Sequence, residues 1–172
     1  MDRRYLFGTA ALAGAGLIAW ALFAGETDEE QIRRVLARLE ELVSVEEGSG
    51  NPAMRALALA KSYEEVFEER VEATVPEVVR VRADRRELGQ VTAREQDRYD
   101  HLSVSLRRLE IQIDGSGRNA QVSGIAYLAG TRRGDSAVER DERHVSFRFS
   151  KNEAAEWRIH SVVVAAKSVI PD

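Results

Sequence analysis

Residues 102–113, LSVSLRRLEIQI, alternate apolar and polar side chains as a β-strand does, but the alternation changes phase at its centre. One extra residue at Arg107-Arg108 accounts for the change, because a β-bulge inserts a residue into a strand and bends the sheet there. The apolar residues are Leu102, Val104 and Leu106 before the change and Leu109, Ile111 and Ile113 after it. The segment therefore predicts a long strand in a strongly curved sheet.

Three more long strands are expected after this one. The sequence DGSG at 114–117 is typical of a hairpin turn, and RRGD at 132–135 of the next. Val145, Phe147 and Phe149 alternate on one side of a strand, and so do Trp157 and Ile159. The three strands are predicted over 120–131, 138–150 and 156–169, which makes the C-terminal half an antiparallel meander.

The half before residue 102 is predicted to be mostly helical. Thr27 and Glu30 have the spacing of a capping box, and Pro52 suits the first turn of a helix. Pro76 implies an edge or an end in the strand-like segment between the last two helices. Helices are expected over 28–45, 52–65 and 84–100, with the strand-like segment over 67–81. Helices followed by antiparallel strands predict an α+β fold.

Residues 6–25 form an uncharged, apolar run of the length that spans a bilayer as a helix. Arg3 and Arg4 precede the run and four acidic residues follow it, so the positive-inside rule keeps the short end in the cytoplasm. We expect residues 1–25 to be a single-pass signal anchor in the inner membrane and residues 26–172 to be an extracytoplasmic domain. The alternative is export followed by signal cleavage.

Composition excludes several function classes. The chain has 25 Lys+Arg against 29 Asp+Glu, a net charge of −4 that argues against nucleic-acid binding. It has no cysteine, which excludes disulfides, thiol catalysis and thiolate metal sites. Its 3 histidines are not at metal-ligand spacing. We expect neither a metal nor a cofactor.

The order of predicted elements resembles the nuclear transport factor 2-like superfamily, which includes the SnoaL-like proteins. The local resemblance lies in AKSYEEVF at 60–67, in the charged helix before Leu102 and in EWRIHSV at 156–162, within a match over about 27–169. The resemblance implies a cone-like domain of about three helices packed on a curved, mostly antiparallel sheet. Such domains serve as enzymes, ligand binders and assembly modules, so the fold leaves the function open.

An acid–base enzyme of this fold needs an Asp or His that faces the cavity. The candidates are Asp100 and His101, where the third helix meets the first long strand, and His160 on the last strand. Adjacent strand residues point to opposite faces, so only one of Asp100 and His101 would face inwards. Four aromatic residues are candidates either for the lining of an apolar cavity or for the core: Tyr63, Phe67, Tyr127 and Trp157.

Two functions fit these observations. The first is a non-catalytic, membrane-anchored interaction module that pairs as a homodimer or docks a protein of a membrane complex through its sheet or cavity. The second is a binder of an apolar small molecule, or a SnoaL-like enzyme, with an Asp or His as its acid–base group. The anchor, and the lack of any cluster of catalytic residue types, favour the first.

Overall fold

The computed structural model describes residues 26–45, 51–75 and 79–165. The predicted anchor, residues 6–25, lies outside these ranges. Within the three ranges, no helix has both the length and the apolar composition to cross a bilayer.

The described residues form three α-helices on one face of a six-stranded sheet. The sheet order is β2-β1-β6-β5-β4-β3, with β1 and β6 parallel and the other neighbours antiparallel. This confirms the predicted α+β fold with a curved, mostly antiparallel sheet. The elements are α1 (Asp28–Val43), α2 (Pro52–Ser62), a 3-10 turn (Tyr63–Glu65), β1 (Phe67–Val75), β2 (Val79–Asp84), α3 (Arg85–Gln96), β3 (Tyr99–Ile113), β4 (Asn119–Arg132), β5 (Val138–Lys151) and β6 (Trp157–Val164).

The observed elements end earlier than predicted where the chain pairs with another strand of the sheet. The segment predicted as one strand over 67–81 is two, because the chain reverses and Val79 pairs back onto Val75. Helix α3 ends before residue 100 because Tyr99 already pairs with Arg132 in the sheet. Its start has a capping box between Asp84 and Glu87, as in α1 between Thr27 and Glu30.

The predicted bulge in β3 is confirmed. The β3–β4 register shifts between Arg107 and Glu110, and Arg108 takes a left-handed backbone conformation with φ 54°. Gly124 lies opposite on β4, where a Cβ atom would stand 2.8 Å from the side chain of Leu109 and 3.0 Å from the carbonyl oxygen of Arg107. A glycine at 124 therefore lets the bulge approach β4 closely and bends the sheet around the helices.

Helix α1 fills the concave side of the sheet and is fixed at its N-terminus. Trp157 is 1% exposed, and its indole Nε1 donates a hydrogen bond of 3.0 Å to Oδ1 of Asp28. The Nζ of Lys151 lies 2.7 Å from the same oxygen. The hydrogen bonds from Lys151 and, to a lesser extent, from Trp157 hold the pKa of Asp28 below its usual value. The buried side of α1 is formed by Ile32, Val35, Leu36 and Leu39.

The C-terminal end of α1 covers the outward edge of β3. Val45 exchanges backbone hydrogen bonds of 2.7 and 3.0 Å with Leu102. The hydroxyl of Ser44 accepts the backbone N–H of Val104 at 3.0 Å, and the carboxylate of Glu40 accepts that of Leu106. Three of the edge donors of β3 are thereby satisfied within the chain, which blocks pairing with another strand along this stretch.

Tyr63 lies at the centre of the core, where the 3-10 turn meets α3. Its ring packs edge-on against Phe67 with centroids 5.0 Å apart, and its hydroxyl is 2.8 Å from Oγ1 of Thr92. Burial raises the pKa of Tyr63 to about 12, and the hydrogen bond with Thr92 opposes this only in part. The neutral phenol is therefore part of the folded state.

Helices α2 and α3 approach each other through small residues. Gly89 is buried in the middle of α3, and a Cβ atom there would stand 2.9 Å from the carbonyl oxygen of Ala56 and 3.0 Å from the backbone nitrogen of Ala60. Backbone atoms cannot move aside as a flexible side chain does. The helix spacing is therefore set by the missing side chain of Gly89.

We expect Gly89→Ala to destabilise the domain by about 1–3 kcal/mol, because the added methyl group overpacks the contact with α2. In an exposed helix the same substitution changes stability in the opposite direction, since Gly→Ala there stabilises by about 1 kcal/mol. Urea unfolding of a protein comprising residues 26–172 measures this. The matched control is Gly115→Ala, which has no neighbour within 4 Å. A Gly89→Ala protein as stable as the parent would contradict the close packing.

We expect stability to fall as the pH rises from about 10 to 12, because the unfolded chain ionises Tyr63 near pH 10 whereas the folded chain resists ionisation. Below about pH 10 this contribution is fully present. Tyr63→Phe should cost about 1 kcal/mol at neutral pH through the lost hydrogen bond and should flatten the alkaline decline. Urea midpoints at several pH values test both. If the urea midpoints of the parent and of Tyr63→Phe fall equally as the pH rises, Tyr63 is not the titrating group.

Candidate functional site

The structure places Asp100 and His101 at the exposed start of β3. Asp100 falls at a register shift, and its carboxylate lies 3.6 Å from the guanidinium of Arg133, which is also 3.2 Å from Asp97. His101 is exposed and pairs with Thr131. These residues form a polar helix-to-strand junction, in which the carboxylate of Asp100 is paired with an arginine.

His160 occupies a second bulge, in β6. It is skipped in the pairing of β6 with both neighbouring strands, so Val162 and Val164 pack on the core side together with Ile159. His160 is half-buried and close to Glu72. The pKa of Glu72 is lowered chiefly by its hydrogen bond with Arg82, and the charge of His160 adds a smaller effect.

The structure does not bring the three acid–base candidates together. His101 is on β3 and His160 is on β6, with β4 and β5 between them. Three strand spacings put the two histidines at least about 14 Å apart. The roles predicted for Asp100, His101 and His160 therefore remain separate predictions and do not combine into one site.

The four aromatic candidates lie in two places. Tyr63, Phe67 and Trp157 are buried in the core, with exposures of 2%, 5% and 1%. Tyr127 is half-buried on the other side of the sheet, and the guanidinium carbon of Arg107 lies 4.9 Å from its ring centroid. Tyr127 is therefore separated from the other three by the thickness of the sheet.

Tyr127 belongs to a surface on β3–β5 that faces away from the helices, which we call the outer face. Tyr127 pairs with Ser105 and Glu142, and Ala129 pairs with Ser103 and Arg140. An open depression of about 440 Å³ lies over these rows. The side chains that define the outer face are Ser103, Ser105 and Arg107 on β3, Ile125, Tyr127 and Ala129 on β4, and Arg140, Glu142 and His144 on β5.

The opposite, helix-facing side of β5 carries an ion pair. Asp141 and Arg143 alternate with Val145 toward the core side, and Nε of Arg143 lies 2.8 Å from Oδ2 of Asp141. Their side chains are 24% and 14% exposed. The run at 139–143 looks like a solvated face in the sequence, but the alternation that continues into Phe147 already assigns Asp141 and Arg143 to the inner side.

An open groove of about 480 Å³ lies between α1 and β3, lined by Ala37, Glu40, Glu41, Ser44 and Val104. This groove and the depression on the outer face both open to solvent. No group of three or more His, Asp or Glu side chains with metal-binding geometry occurs among the described residues.

No protein-family model matches the chain, and no curated protein matches it. Solved structures do match its fold. A protein from Kribbella flavida superposes with a TM-score of 0.67 at 11% identity, over 83% of this chain and 93% of its own. A nuclear transport factor 2-like superfamily protein from Salmonella enterica superposes with a TM-score of 0.60 at 12% identity, over 84% of this chain and 96% of its own.

A protein described as a putative aromatic ring hydroxylase, from Novosphingobium aromaticivorans, superposes with a TM-score of 0.62 at 10% identity, over 84% of this chain and 90% of its own. At such low identity these likenesses establish the fold alone. The chain thus has the nuclear transport factor 2-like fold that its sequence resemblance predicted.

Proposed function

We propose that this protein is a non-catalytic interaction module, held at the inner membrane by residues 6–25 and displaying its folded domain on the extracytoplasmic side. The domain docks a partner protein through the outer face of β3–β5. The proposal needs no cofactor. In it, residues 6–25 hold the domain at the membrane and the sheet contacts the partner.

The main support for this proposal is that one face of the sheet is covered by α1 and core residues, whereas the other is open. On the concave side, α1 and the core residues occupy the space that could otherwise hold a ligand, and the largest fully buried side chains are Trp157, Tyr63 and Phe149. On the outer face, Tyr127 and Ala129 lie half-buried among exposed charged side chains. A central tyrosine surrounded by polar and charged groups is a composition that protein interfaces use.

A second function has support of its own. The similar structures include a protein named as a putative aromatic ring hydroxylase. On the helix-facing side of the sheet, the ion pair of Asp141 and Arg143 is the kind of polar group that orients a ligand in an apolar site. We therefore keep a small-molecule binder or SnoaL-like enzyme as the alternative. A ligand bound on this side in contact with Asp141 would favour it over the first proposal.

Site-specific photocrosslinking in intact membranes tests the first proposal. With a photoreactive residue at Ser103, which is exposed on the outer face, we expect the full-length chain to form a discrete adduct with a protein. The matched control is the same residue at Lys61, which is exposed on α2. Equal adducts at both positions, or none at Ser103, would contradict docking through the outer face. Recovery of the chain from the cytosol would contradict the anchoring.

A further inference from the structure

We infer that the partner of the outer face presents an extended acidic segment, whose carboxylates bind Arg107 and Arg140 on either side of Tyr127. This inference rests on the proposed function, since it identifies the chemistry of the partner that docks there.

Arg107 is preorganised for an anion. Its guanidinium is exposed and lies over the ring of Tyr127, with the guanidinium carbon 4.9 Å from the ring centroid. It makes no ion pair with any residue in the described ranges. Stacking on an aromatic ring uses the face of the guanidinium and leaves its edge N–H donors available for a carboxylate.

Arg140 is the second arginine of the outer face, two strands away from Arg107. It is exposed, pairs with Ala129 in the register, and forms no ion pair within the described part of the chain. Other arginines at the same end of the sheet are paired: Arg132 lies 2.9 Å from Glu139, and Arg133 lies 3.2 Å from Asp97. Arg107 and Arg140 thus have no acidic partner within the described ranges, whereas the nearby Arg132 and Arg133 form ion pairs.

The spacing of the two arginines fits an extended chain. Two strand spacings and about four residues of rise separate their Cα atoms by roughly 16 Å. An extended peptide spans this distance in about five residues. Ser105 borders the same depression, and its hydroxyl can donate to the same segment. We therefore expect acidic residues about five positions apart in the bound segment.

The charges on the outer face disfavour a second copy of this chain as the occupant. Two copies that met through this depression would bring Arg107 and Arg140 against the same arginines. Among the residues that line the depression, Glu142 is the acidic one whose side chain lies on the outer face; Asp141 also borders it, but its side chain lies on the helix-facing side and is paired with Arg143. Like charges brought together across an interface weaken it. An acidic segment of a different protein complements the face instead.

The position of the depression also disfavours a lipid surface. The chain leaves the proposed anchor just before Asp28, and Asp28 is bound to Lys151 at one end of β5. Arg140 lies near the other end of β5, about 37 Å away at the rise of an antiparallel strand. Arg107 lies level with His144, about 24 Å along the sheet from the Lys151 end, so both arginines lie away from the point where the chain joins the proposed anchor and within reach of a partner protein.

The test uses the full-length chain in native membranes, with the photoreactive residue at Ser103. We expect Arg107→Gln/Arg140→Gln to lower the yield of the adduct at least tenfold, and each single substitution about threefold, because ion-pair contacts to the partner are lost. Arg107→Lys/Arg140→Lys should retain most of the yield. The control is Arg86→Gln/Arg118→Gln, which removes two exposed arginines outside the outer face and should change nothing. Sequencing the crosslinked peptide should reveal Asp or Glu residues about five positions apart.

The outcomes separate this inference from the proposed function. If the adduct forms but its yield is the same in Arg107→Gln/Arg140→Gln, the outer face docks a partner, but the inference that the partner binds through an acidic segment is wrong. An adduct with a second copy of this chain, or with lipid, also overturns the inference. Absence of any adduct from Ser103 overturns the proposed function itself. Because both arginines are exposed, circular dichroism should show unchanged folding in every variant.

Discussion

The structure depends on the attachment of α1 to both ends of the sheet. At one end Asp28 accepts hydrogen bonds from Trp157 and Lys151, and at the other end Val45 pairs with Leu102. Between these points the buried side of the helix packs on the concave face. A curved sheet needs such a filler, because a sheet bent by bulges leaves a hollow that is stable only when it is occupied by side chains, water or a ligand.

Filling the hollow with α1 has a consequence for function. With the concave side used for packing, the side of the sheet away from the helices is the sheet face left open to solvent. The β3 edge is covered from Leu102 to Leu106 by the end of α1, so recognition there has to use side chains rather than an added strand. On the outer face those side chains are the ring of Tyr127 and two arginines that form no ion pair within the described ranges, and we propose that they bind a partner of opposite charge.

The sequence predicted the features that are encoded within one segment. The phase change in LSVSLRRLEIQI marks the bulge at Arg108, and the capping box of Thr27 and Glu30 marks the start of α1. The ends of the helices and the hairpin of β1 and β2 were missed, because pairing with distant residues decides them. The grouping of Arg107, Tyr127 and Arg140 was also missed. Predicting this group requires the register of three strands, whereas the alternation within one strand predicts only which face of the sheet a side chain lies on.

We infer that, among the described residues, α1 and the core leave no apolar cavity between helices and sheet. Benzene tests this directly, because an empty apolar cavity of sufficient size binds it. Titrating benzene into a protein comprising residues 26–172, while following the NMR signals of Trp157 and Tyr63, should give no saturable change. Saturable shifts of these signals in a protein that stays folded would contradict the account and support the ligand-binding alternative.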